Sequence, residues 1–84
     1  MSENRLVFTH HAELMLAERG IERAWVERAV NEPDAMEPDP AQNDICRAFR
    51  AIPERNGRVL RVVYAVSGEQ LRVITAFFDR TRLR

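Results

Sequence analysis

Phe8-Thr9-His10-His11-Ala12-Glu13-Leu14-Met15-Leu16-Ala17-Glu18-Arg19-Gly20-Ile21 reads as a capped helix with its own stop signal. Thr9 carries the short hydroxyl side chain that accepts an orphan N–H at a helix start, and Gly20 can take the left-handed conformation that ends one. The spacing predicts a helix over residues 10–19, with Ala12, Met15, Leu16 and the stem of Arg19 on one apolar face, widened by Leu14 and Ala17. Ile21 then leads into a second helix over residues 22–31. Trp25, Val26, Ala29 and Val30 share its apolar face, Glu22, Arg23, Glu27 and Arg28 face water, and Pro33 closes it. Ahead of both, Arg5-Leu6-Val7-Phe8 has the composition of an N-terminal edge strand.

Residues 31–44 are polar, acidic and punctuated by three prolines, and read as a loop. Beyond them the period changes to that of strands, over Ile45–Ile52, Arg58–Val66 and Leu71–Phe78, separated by Asn56-Gly57 and Gly68-Glu69. Taken as two-residue hairpin turns, these pair Arg55 with Arg58 and Ser67 with Gln70. One face of the meander then collects Ile45, Phe49, Ala51, Leu60, Val62, Tyr64, Leu71, Val73, Thr75 and Phe77, a layer for the helices to cover. The other collects Cys46, Ala48, Arg50, Ile52, Val59, Arg61, Val63, Ala65, Arg72, Ile74, Ala76 and Phe78. Three arginines among so many apolar side chains mark a face that meets something. In the same register Arg58 stands opposite Asp79. The fold class is α+β, as one domain over residues 1–84: two N-terminal helices on a three-stranded antiparallel meander, with the edge strand beside it.

Charge is unevenly distributed. Residues 1–42 hold four arginines against nine acids, residues 43–84 hold nine arginines against four, and there is no lysine. The chain is thus an electrical dipole with a basic C-terminal half, and Asp79-Arg80-Thr81-Arg82-Leu83-Arg84 reads as a basic tail. The lone Cys46 allows no internal disulfide, and no apolar run suits a signal peptide or membrane span, so a cytoplasmic protein without a membrane partner is expected. His10, His11 and Cys46 lack zinc-ligand spacing, and the acidic segment lacks the glycine and regular oxygens of a calcium loop. No metal or cofactor is expected.

Phe8-Thr9-x-His11-Ala12, Glu18-Arg19-Gly20-Ile21, Gly57-Arg58-x-Leu60-x-Val62-Val63 and Val73-Ile74-Thr75-x-Phe77, in that order and spacing, resemble the bacterial domain of unknown function 4258 family. The resemblance spans roughly residues 6–79. It implies a fold like that of the RelE and BrnT mRNA-cleaving toxins, and with it a toxin–antitoxin context and RNA as a ligand. The chain departs from that pattern in being neutral and lysine-free, and in carrying Arg61 where many relatives have a middle-strand histidine.

Metal-independent RNA cleavage needs a base for the ribose hydroxyl, cations for the crowded phosphate and an acid for the leaving oxygen. His11 is the first choice for base or acid and Arg61 and Arg72 for the phosphate, while Arg19, Arg50, Arg80 and Arg82 are candidate nucleic-acid contacts. His11 also suits a structural role, bordering the apolar stripe of its helix and tying it to the sheet. Two functions therefore stand side by side. One is an RNA-binding, toxin-related endoribonuclease. The other is a non-catalytic module that uses the arginine face for a second copy or an antitoxin-like protein.

Overall fold

The computed structural model describes residues 5–82, so Leu83 and Arg84 of the basic tail lie outside the described residues. Helix α1 (His10–Arg19) starts where the Thr9 hydroxyl accepts the Ala12 N–H at 3.0 Å. It stops at Gly20, whose φ of 65° lets its N–H reach Ala17 while the Ile21 N–H reaches Leu16 at 2.9 Å. These paired bonds satisfy carbonyls the helix end would orphan, and they bring Ile21 onto Leu16 in the core. Helix α2 (Arg23–Asn31) buries Trp25, Val26, Ala29 and Val30, the four residues its period selects. On α1 the buried stripe is narrower than expected: Ala12 and Leu16 are buried, Met15 is half-buried, and Leu14 and Ala17 are exposed.

The sheet is larger than the expected meander. Strands β1 (Arg5–Phe8), β2 (Ala35–Pro38), β3 (Ile45–Ile52), β4 (Arg58–Ser67) and β5 (Gln70–Phe78) lie in the order β1-β5-β4-β3-β2. β1 runs parallel to β5 and the other neighbours are antiparallel, so the sheet is mixed. β2 comes from the segment read as a loop. Its start is pinned by Asp34, whose N–H donates to the Phe49 carbonyl at 2.8 Å and whose carboxylate accepts the Ala51 N–H at 2.9 Å. Pro38 is tolerated because the strand is an edge, where a missing donor costs no ladder bond.

The second hairpin has the expected register, Ser67 opposite Gln70 across Gly68-Glu69, with Gly68 at φ 61°. The first does not. Pro53 cannot donate to a ladder, and Pro53–Arg55 instead winds into a 3-10 turn followed by Asn56 at φ 59° and Gly57 at φ 74°. The pair that closes the hairpin is Ile52 with Arg58. This shift by an odd number of residues turns β3 over: Cys46, Ala48 and Ile52 face the helices, and Ile45, Phe49 and Ala51 face away. A second correction falls on β5. Val63 pairs with Thr75 and Tyr64 with Val73, leaving Ile74 as a bulge. Past it Ala76 and Phe78 turn to the helices and Thr75 and Phe77 to the open face, and Arg58 no longer stands opposite Asp79.

The 3-10 turn is fastened to the helix layer. Arg28 of α2 donates two 3.0 Å bonds to the two carboxylate oxygens of Glu54. This pairing, with a backbone bond, lowers the Glu54 pKa from 4.5 to about 2. Protonation is therefore harder in the folded chain, so the stabilisation is complete above pH 4.5, declines as pH falls below that and is gone near 2. Urea denaturation of the native chain and Glu54→Gln should show a stability gap that is constant from neutrality to about pH 5 and closes below it. A gap independent of pH would contradict the pairing.

Candidate nucleic-acid interface on the open sheet face

With the helices on one side, the sheet presents the other to solvent. The ladder places Ala35 and Glu37 of β2, Ile45, Arg47, Phe49 and Ala51 of β3, Val59, Arg61, Val63 and Ala65 of β4, and Arg72, Thr75 and Phe77 of β5 on this open face. Arg61 lies at its centre. Its guanidinium carbon is 5.7 Å from the Phe49 ring centroid and 5.3 Å from that of Phe77, and its Nη1 is 3.5 Å from Asp79. Its Nε is buried with no acceptor among the described residues.

Asp79 organises the turn after β5. Its N–H donates to the Val59 carbonyl at 2.8 Å, and its carboxylate accepts both the N–H and the hydroxyl of Thr81. The Thr81 bonds first, and Arg61 after them, hold the carboxyl below the usual range although the residue is only 8% exposed. The turn sends Arg82 back over β3, where its guanidinium sits 3.6 Å from the Phe49 centroid and pairs with Glu37 of β2. Glu37 also faces Arg47 at 3.9 Å, and Arg47 reaches Asp39 at 3.3 Å. The two backbone N–H groups of Ala41 and Gln42, more than Arg47, lower the Asp39 pKa.

The face therefore has two halves. Toward β2, Arg47, Arg61 and Arg82 meet Glu37, Asp39 and Asp79, and the charges cancel locally. Toward β5, Arg19 and Arg72 make no carboxylate contact among the described residues. Arg19, at the end of α1, donates to the Ala76 carbonyl at 2.8 Å and lies 3.5 Å from the Thr75 hydroxyl, with its guanidinium 5.9 Å from the Phe77 centroid. It thus covers the edge of β5 beyond the end of β1, which pairs only with Gln70–Val73. Arg72 is exposed, opposite Ala65 and beside Val7. From Arg61 to Ala65 is four residues of β4, about 13 Å along the strand.

The other expected residues are placed elsewhere. Arg50 was expected on the arginine face, but it sits at the rim of the helix side, where its Nη1 donates to the Glu32 carbonyl at 2.5 Å at the end of α2. The overturned β3 register is the reason. His11 is exposed in the first turn of α1 and has no hydrogen-bond partner among the described residues. It precedes Arg19 by eight residues, about 12 Å of helix. Arg80 is exposed. Phe49 and Phe77 are expected in the helix-covered layer but lie on this face, and Arg47, Glu37, Asp39 and Asp79 join it without having been expected there. The signal for Asp79 was present in Thr81 two residues on, the spacing of a side-chain-closed turn.

On the helix side, Tyr64 is buried and donates to the Met36 sulfur at 3.2 Å; burial first, then Cys46, raises its pKa. Among the described residues no three His, Cys, Asp or Glu side chains gather as a metal site, and no helix is long and apolar enough to cross a membrane. In comparisons with known proteins, the family described as "Domain of unknown function (DUF4258)" matches residues 8–78. No curated protein and no solved structure matches.

Proposed function

Since the chain belongs to the DUF4258 family, we propose that it is a toxin-related domain of the cytoplasm that binds single-stranded RNA through its open sheet face. One observation carries the reading. Phe77 is an open-face aromatic with two guanidiniums, of Arg19 and Arg61, within 6 Å of its centroid, and Arg72 extends the cationic track along the same face. A stacking platform flanked by arginines is how proteins hold single strands without reading their sequence. The chain's zero net charge does not oppose this, because five of its exposed acids, Glu13, Glu18, Glu22, Glu27 and Glu32, lie on or at the ends of the helices.

The reading is one of binding. Cleavage through His11 would act on a stretch of strand about 12 Å from the one on Arg19. A second reading has its own observation in its favour. The half of the face toward β2 is neutralised by its own carboxylates, a state suited to a protein partner such as an antitoxin-like chain or a second copy.

Titration of a labelled oligouridine at salt concentrations from about 50 to 200 mM separates the two. RNA binding should weaken steeply with salt, Arg72→Ala should lower the log–log slope by about 0.7, and Phe77→Ala should weaken binding at least about fivefold with the slope unchanged. Absence of binding at the lowest salt, together with a salt-insensitive dimer, would sink the RNA reading in favour of the protein one.

A further inference from the structure

The turn after β5 does more than end the sheet. Asp79, Thr81 and Arg82 carry the chain from β5 across β4 and β3 to the carboxylate of Glu37 on β2, spanning one end of the open face. Beneath this strap lies Phe49, an aromatic of the open face that would be a second stacking platform beside Phe77, with Arg61 between them. Phe49 is only 2% exposed, although it projects from the side of the sheet that carries no helix. Two guanidiniums lie over its ring, that of Arg82 at 3.6 Å from the centroid and that of Arg61 at 5.7 Å, and Arg82 is the nearer cover. The same strap places a carboxylate on Arg61.

We propose that Asp79–Arg82 is an autoinhibitory strap. It occupies with its own cation and carboxylate the aromatic and the arginine that a single strand would use, so that a strand bound on Phe77 extends onto Phe49 only by displacing it. This rests on the RNA reading above. The Arg82 end of the strap suits a displaceable cover: its stack on Phe49 and its ion pair with the partly exposed Glu37 are each weak enough to exchange for a ligand, while the buried Asp79 holds the other end in place. A covered site lowers apparent affinity by the fraction of molecules in which it is open.

Arg82→Ala distinguishes the strap from simple electrostatics. Loss of a cation from an RNA-binding face weakens binding, whereas release of an inhibitory strap strengthens it, by about fivefold for one arginine–aromatic contact. Oligouridine titration of the full chain and of Arg82→Ala gives the sign directly. Acrylamide quenching of Phe49→Trp reports cover independently of any ligand, against the constant background of Trp25, which is 6% exposed. The strap predicts tighter binding by Arg82→Ala, and stronger quenching of Phe49→Trp when Arg82→Ala is added. Weaker binding by Arg82→Ala, or quenching unchanged by it, overturns the proposal. If neither chain binds RNA while quenching still rises, the RNA reading fails and the cover on Phe49 stands.

Discussion

Leu60→Ala should destabilise the domain by about 3 kcal/mol, the cost of lost burial plus a cavity in a site that cannot collapse. Leu60 lies on β4, the middle strand of five, with no exposed surface, and shares the core with Val26 of α2 and Ile52 of β3. A chain of 84 residues holds in all about 4–12 kcal/mol. One methyl-rich side chain therefore accounts for a large share. Urea denaturation should show a lower midpoint with an unchanged slope. A loss below about 1 kcal/mol would mean that the helix layer settles into the gap, contrary to a rigid contact between α2 and the sheet.

Asp79→Ala should cost about 2 kcal/mol, less than the 3–5 kcal/mol of a fully buried broken pair because the Arg61 side chain is 29% exposed. The substitution leaves the Arg61 guanidinium between two aromatic rings without its carboxylate and removes the acceptor of both Thr81 bonds. Arg61→Leu in the same chain removes the stranded cation, so the double variant should be more stable than Asp79→Ala alone. Equal stability of the two would show that the Thr81 turn, and not the ion pair, is what Asp79 supports.

The helical half of the chain was legible because its signals are local. Thr9, Gly20 and the four apolar residues of α2 act within a turn or two of their own positions. The sheet was legible only where the turn was as short as it looked: Gly68-Glu69 gave the register of β4 against the first half of β5. Asn56-Gly57 misled because the preceding Pro53 had already taken the chain out of the ladder, and the loop that results begins three residues earlier than the dipeptide suggests. Since strands alternate with period two, that offset moved Phe49 and Arg50 to opposite sides from those expected. The bulge at Ile74 carries no residue-type signature and did the same to Thr75 and Phe77. β2, Ala35-Met36-Glu37-Pro38, holds no β-branched or aromatic residue and is made a strand by Asp34 and by its pairing with β3, a tertiary cause.

The placement of Arg61 and Arg72 on the open face was legible because β4 and the start of β5 kept their faces, whereas Arg19 suits a helix C-terminus by itself and reaches β5 only through tertiary bonds to Ala76 and Thr75. That the arginines toward β2 are matched by Glu37, Asp39 and Asp79 was not legible. Those acids come from a loop, a short edge strand and the turn after the last strand, and only the folded sheet assembles them.

The parallel pairing of β1 with β5 also has a consequence in time. Arg5 pairs with Gln70 and Phe8 with Val73, so β1 waits for the last strand of its own sheet before it finds a neighbour. Both helices are synthesised before the three long strands whose surface they cover, and their apolar stripes stay uncovered in the nascent chain through that interval. Pairing between elements so distant in sequence slows the search for the native state. Helix α2 can dock once β3 and β4 have paired, whereas β1 and α1 are expected to settle last, when β5 becomes available between β4 and β1.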